Sequence, residues 1–409
     1  QEAIVSADPN FTVAAKAALL IDLNTGRTVY EQDADERVYP ASLTKIMTCL
    51  LALENGNLSD VITIDEAALA GLDQDSSVVG LQVGEQITLE DLLYCMMVHS
   101  GNDAANAVAE YIAGSTADFV RMMNERAYAL GCKDTHFNNP HGLHDESHYT
   151  TARDLARITQ AALKSENFRQ IVDTAEYVIP ESATGQEHKL KTTNLLIYES
   201  TGNSLYYPRA TGVKTGYTSA AGRCLVATAE DDGIRFLSVL CGAKTTILES
   251  GDLLMESFPE TIKLLDYGFS AFEKHTFLSA GEAVGTVPVV GGTRESVNAV
   301  SGGTLSWPLR PEEQTELRVH LPRLTFAPVL DAKEVEAPVS EGQKLGLARV
   351  YYGKELIDET DLLAIADVAR SELSSVATTS TAYIQQNWWK WIVFLILGVI
   401  AAFLILLVL

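Results

Sequence analysis

Residues 391–409, WIVFLILGVIAAFLILLVL, run for 19 positions without a charge. At a rise of about 1.5 Å per residue, a helix of that length nearly crosses a hydrocarbon layer of about 30 Å. Apolar side chains occupy every face, unlike a surface helix with one buried stripe. Trp388, Trp389 and Trp391 stand at its start as an interfacial belt, and Lys390 can snorkel. The expectation is a single C-terminal transmembrane anchor over 388–409 that tethers the preceding chain to a membrane. The sequence opens at Gln1 with no apolar leader, as expected of a secreted protein whose targeting peptide has been removed.

A chain of 409 residues suggests two or three domains. Its formal net charge of -24 excludes a nucleic-acid partner, which needs clustered Lys and Arg. It also disfavours electrostatic docking on anionic lipid. The five cysteines, Cys49, Cys95, Cys132, Cys224 and Cys241, form no CxxC pair. Apolar neighbours such as LLYCMMV and LSVLCGA mark them as buried thiols, not as a disulfide framework or a metal site.

Along the chain, two apolar runs around Asn24-Thr25-Gly26 signal a hairpin. A helix is predicted from Ser42 to about Glu54, stopping at Gly56. Capping spacings open further helices at Thr88 (with Asp91) and Thr151 (with Asp154), and Gly131 closes another. From Gly212 onward, strand-like runs flank Asp231-Asp232-Gly233, and a helix ends the unit near 275. Residues 276–358 hold short β-type runs separated by Gly and Pro, which predicts a small β-rich domain. Residues 361–373 read as a short helix, and a polar connector then leads to the anchor.

The chemistry-bearing residues begin with YPASLTK. Ser42 and Lys45 stand at i and i+3, so a helix puts them on one face, and no other serine has lysine three places on. A serine hydroxyl needs a base, and lysine serves only if burial or a second cation lowers its pKa. GVKTGYT offers that cation as Lys214, expected on an edge strand where it also attracts a substrate carboxylate. Thr215 can donate to the same carboxylate, and Gly216 leaves room for a substrate backbone. HSGND supplies Ser100 as a proton shuttle and Asn102 as an amide that can bind a substrate amide. The histidines of HFNNPHGLHDESHY lack the helical periodicity that would align metal ligands, so no metal is assigned. No cofactor is expected.

Ser-x-x-Lys, Ser-x-Asn and Lys-Thr-Gly in this order resemble the signature of penicillin-binding proteins and class A β-lactamases. PASLTKIMT, VHSGNDAANAVAE, NNPHGL, YTTARDLA and TGVKTGYTSAAG are most similar to blocks of the serine D-alanyl-D-alanine carboxypeptidases, over roughly residues 15 to 275. The resemblance implies an α/β (α+β) DD-peptidase/β-lactamase-like domain over 1–275, an antiparallel sheet between helical layers, outside the cytoplasmic membrane. It implies Ser42 as the acylated nucleophile, Lys45 as base, Ser100 and Asn102 as the second element, and Lys214 and Thr215 as the carboxylate site. Backbone amides of Ser42 and Tyr217 would form the oxyanion hole. The implied substrate is a peptidoglycan stem peptide ending in D-Ala-D-Ala, with β-lactams as covalent inhibitors. A β-lactamase is the competing enzyme, but no Glu-x-x-Leu-Asn block lies between Asn102 and Lys214. The same motifs also suit a DD-transpeptidase, whose acyl-enzyme is taken by an amine, or a catalytically silent wall-binding protein that keeps the fold.

Overall fold

The computed structural model describes residues 11–24, 26–72, 76–247, 253–271, 273–309, 324–330, 334–352, 355–372 and scattered positions between 386 and 397. The chain divides into two compact units, Gln1–Phe272 and Glu273–Leu409.

In the first unit β1 (Ala17–Asp22) and β2 (Thr28–Gln32) pair antiparallel as the expected hairpin. A 3-10 turn, Ala41–Thr44, leads directly into α1 (Lys45–Asn55). Then come β3 (Val61–Thr63), α2 (Glu66–Leu69), β4 (Gln86–Thr88), α3 (Leu89–Met97), α4 (Asn102–Ala113) and α5 (Thr116–Ala129). Next are α6 (Ala152–Ala162), α7 (Glu166–Val172) and the ribbon β5 (Glu176–Ile179) with β6 (His188–Lys191). Three long strands follow: β7 (Ala210–Thr218), β8 (Gly222–Asp231) and β9 (Ile234–Ala243). The ribbon β10 (Thr245–Ile247) with β11 (Leu253–Met255) and helix α8 (Ser257–Ala271) complete the unit.

The main sheet has the order β2-β1-β9-β8-β7 and is antiparallel throughout, with β7 at one edge. Every residue of β1 is buried, because both faces of the sheet are covered. Side chains alternate along it: Ala17, Leu19 and Ile21 join the core under α1, α3 and α6, whereas Ala18 and Leu20 join the one under α8. The expected caps form at both sites, since Thr88 and Thr151 accept from the amides of Asp91 and Asp154. Gly131, at φ 78°, follows α5 in the left-handed conformation that favours glycine there. All five cysteines are buried free thiols.

The second unit is β-rich. It contains β12 (Glu273–Leu278), β13 (Ala283–Val290), β14 (Ser296–Ser301), β15 (Leu305–Leu309), β16 (Leu324–Leu330), β17 (Val335–Glu336), β18 (Lys344–Tyr352) and β19 (Glu355–Ala364). Six of these form the sheet β16-β18-β19-β14-β13-β17, and β12 pairs with β15. The helix expected over 361–373 is not formed from Asp361 through Arg370, the part where the described residues make strand and bridge contacts. Asp361–Ala364 finish β19, and Val368 bridges to Val339. Leu362 and Ala364 are buried while Asp361 is exposed, a period of two imposed by pairing with β14 and β18.

Most of the apolar run 391–409 lies outside the described residues. Its described members, among them Ile392, Leu395 and Leu397, are helical and exposed. Among the described residues no helix is long and apolar enough to cross a membrane.

Candidate active site

Three segments distant in sequence converge where the 3-10 turn, the start of α4 and edge strand β7 meet. Ser42 lies in the turn, one position after Ala41, whose φ is 48°. Ser100, with φ 71°, sits between α3 and α4. Left-handed backbone at a residue with a Cβ costs on the order of 1 kcal/mol, and both instances flank the same cleft. Ser42, Ser100, Thr193, Thr215, Tyr217 and Arg223 are among the residues lining that cleft, whose volume is about 250 Å³.

Lys45 is buried completely behind the cleft. Its Nζ lies 3.1 Å from Ser42 Oγ, 2.6 Å from Asn102 Oδ1 and 2.8 Å from the His141 carbonyl oxygen. The Asn102 oxygen and the His141 carbonyl can only accept, whereas the hydroxyl can also donate. The site accommodates the neutral amine that a base requires: two N–H groups can go to the two carbonyl-type oxygens, with the lone pair free to accept from the Ser42 hydroxyl. Burial pulls the Lys45 ammonium well below its ordinary pKa, and the charge of Lys214 pulls it further, against the opposing field of Asp103.

Lys214 is 1 % exposed, donates to the Thr215 carbonyl at 3.3 Å, and is brought by burial to a pKa of about 7. It lies on the edge strand, as expected, but does not itself line the cleft. Its neighbour Thr215 does, with its hydroxyl 2.6 Å from that of Thr193. Gly216 is opposite the nucleophile's turn. A Cβ there would lie 3.0 Å from the Pro40 oxygen and 3.2 Å from the Ser42 nitrogen. The turn closes in on one side of Gly216, which also lines the cleft where a substrate backbone is expected to approach. The Ser42 amide consequently runs alongside the strand whose next residue is Tyr217.

Two features escaped the sequence reading. Asn102 has its oxygen committed to Lys45, which leaves only its Nδ2 for a ligand. Arg223, across the β7–β8 ladder from Tyr217, holds its guanidinium 4.0 Å from the centre of that exposed ring and donates to Thr245 at 3.1 Å. It is the one charged residue lining the cleft among the described residues. No motif marks it, and only strand register brings it to the site.

The match to the family model for D-alanyl-D-alanine carboxypeptidase covers residues 2–245, most of the first unit. The chain belongs to the D-alanyl-D-alanine carboxypeptidase family. A second model, for the C-terminal domain of penicillin-binding protein 5, matches residues 272–370 of this carboxypeptidase-family chain. The D-alanyl-D-alanine carboxypeptidase DacF of Bacillus subtilis is 33% identical over 363 residues, 87% of this chain and 86% of that protein. Penicillin binding protein 5 from Haemophilus influenzae has a similar structure, with TM-score 0.60 and 30% identity over 89% of this chain and all of the other. PBP3 from Streptococcus pneumoniae, described as a peptidoglycan synthesis regulatory factor, matches with TM-score 0.70 and 26% identity over 88% of this chain and 100% of that one.

Proposed function

We infer that this chain is a serine D-alanyl-D-alanine carboxypeptidase that removes the terminal D-alanine of peptidoglycan stem peptides and is acylated by penicillins. The observation that carries the reading is the Lys45 amine, buried, its pKa pulled well down by burial and by Lys214, and 3.1 Å from Ser42 Oγ. Ser42 Oγ attacks the carbonyl of the penultimate D-Ala while its proton passes to Lys45 Nζ. The developing oxyanion lies against the backbone amides of Ser42 and Tyr217. Expulsion of D-alanine takes a proton relayed through Ser100, which leaves the acyl group as an ester on Ser42. Water then cleaves the ester, giving the shortened peptide and restoring the hydroxyl. General-base assistance of this kind contributes about 10²–10⁴-fold, and one oxyanion donor about 10²–10³-fold.

The terminal carboxylate of the substrate sits by Thr215, with Lys214 beneath the strand, and Arg223 supplies a permanent charge within the cleft. The Nδ2 of Asn102 holds a substrate amide. A free chain end is therefore recognised, which favours a carboxypeptidase over an enzyme cutting within chains. The 19-residue uncharged run at 391–409 supports attachment to the membrane, with the catalytic unit on its outer side where peptidoglycan lies.

The test is intact-mass analysis of the full-length chain after benzylpenicillin, combined with D-alanine release from an acyl-D-Ala-D-Ala peptide. One adduct on Ser42, absent in Ser42→Ala, and stoichiometric D-alanine are expected. An unmodified wild-type chain, or an adduct that persists in Ser42→Ala, would refute the assignment.

A further inference from the structure

The histidine-rich segment HFNNPHGLHDESHY is not absorbed by the mechanism above, yet it forms one wall of the lysine's chamber. Three buried contacts clamp it to the start of α1. Lys45 donates to the His141 carbonyl at 2.8 Å, Thr48 Oγ1 donates to the Pro140 carbonyl at 2.6 Å, and Thr44 Oγ1 lies 2.8 Å from His148 Nε2. Two of these contacts are accepted by the segment's main chain, and His148 supplies the third from its side chain.

The ring of His148 is fixed on both edges. The Asn138 backbone N–H donates to Nδ1 at 3.1 Å, so the proton of the neutral ring is on Nε2 and is donated to Thr44. The ring is 2 % exposed and meets Phe137 edge-on at 5.5 Å between centroids. Thr44 is the residue before Lys45, and its hydroxyl makes no cap bond to its own helix. Asn138, at the other edge, is two residues before Pro140 and three before His141. The imidazole is therefore a strut between the helix position preceding the base and the strand of chain that presents the base's carbonyl acceptor. Turn and segment also touch directly: a Cβ on Gly142 would lie 1.8 Å from the Ala41 oxygen.

We propose that His148 is a positioning residue for Lys45. By bridging Thr44 and Asn138, it registers the His141 carbonyl on the lysine amine, so that the amine's lone pair is directed at Ser42. His148 touches no reacting atom. Its loss turns the amine, lowers the rate of acylation and leaves reversible binding of the ligand in the cleft unchanged. The inference rests on the acyl-enzyme reading above.

Acylation of the full-length chain by a fluorescent penicillin, followed over a range of concentrations, separates the limiting rate from the half-saturating concentration. His148→Leu is expected to reduce the limiting rate by about 10- to 100-fold, the scale of a misplacement of about 1 Å, with half-saturation within about twofold of wild type. His148→Gln, whose amide N–H reaches the place of Nε2–H, is expected to restore most of the rate. A wild-type limiting rate in His148→Leu overturns the proposal. So does a His148→Gln rate as low as that of the leucine variant, because ring packing and not the hydrogen bond would then be what matters. If His148→Leu does not fold, Thr44→Val removes the partner hydroxyl at constant shape; it must show the same slowed limiting rate, and an unchanged rate overturns the proposal. A wild-type chain that takes no label on Ser42 refutes the acyl-enzyme reading itself, and this inference with it.

Discussion

Acid should loosen this protein through two histidines that its fold holds neutral. His141 and His148 are buried, and burial lowers their pKa values from 6.5 to about 3 and about 4 respectively. Electrostatic interaction with Lys45 and His148 acts in the same direction at His141; at His148 the Asp145 carboxylate opposes the shift while His136 and His144 reinforce it. The folded pKa values are depressed, so between pH 6.5 and about 4 the unfolded chain binds protons that the native chain refuses. Stability is therefore complete above pH 6.5 and falls as the solution is acidified. With about 1.36 kcal/mol per pKa unit, lowering the pH from 7 to 5 removes about 2 kcal/mol for each ring, or about 4 kcal/mol together. That is a large part of the stability of an ordinary domain, about 5–15 kcal/mol. The assay is urea unfolding of the full-length chain followed by far-ultraviolet circular dichroism at pH 7 and pH 5, for wild type and His148→Gln. The glutamine keeps hydrogen-bonding capacity but does not titrate, so the loss between the two pH values should shrink to about 2 kcal/mol. Equal losses in the two proteins would refute the reasoning, because His148 would then not be held neutral by the fold.

Three further outcomes follow from the site. Lys45→Ala should cut labelling by fluorescent penicillin by about 10²–10⁴-fold while the fold persists, and near-normal labelling would remove Lys45 as the base. Arg223→Gln should raise KM about tenfold for a peptide with a free terminal carboxylate, roughly the worth of one charged hydrogen bond, and leave its C-terminal amide nearly unaffected; equal effects on both would show that Arg223 does not read the carboxylate. Gly142→Ala places a methyl where the Ala41 carbonyl now stands, at a φ of 90°. Both the thermal midpoint and acylation should fall in that variant, and unchanged acylation would mean that the turn bearing Ser42 tolerates displacement.

The local elements were legible in the sequence because their causes are local. Thr88 and Thr151 cap helices with the spacing that a side-chain oxygen needs to reach an amide three residues on. Ser42 and Lys45 meet because i and i+3 share a helical face, and their contact survives although Ser42 stands in a 3-10 turn and not in α1. The segment 361–373 was misread because a short apolar run has the same composition in a strand as in a helix. Its period of two appears only when β14 and β18 lie beside it.

What the sequence by itself determined was the inventory: a nucleophile, a base and a second amine in family order, with an uncharged run at the end. Tertiary structure alone decided the environment of each. It buried Lys45 and Lys214, turned the Asn102 oxygen and the His141 carbonyl toward the amine, and brought Arg223 into the cleft by strand register. The physical reason is that a pKa and a hydrogen-bond partner depend on neighbours within a few ångströms, and here those neighbours come from segments far apart along the chain.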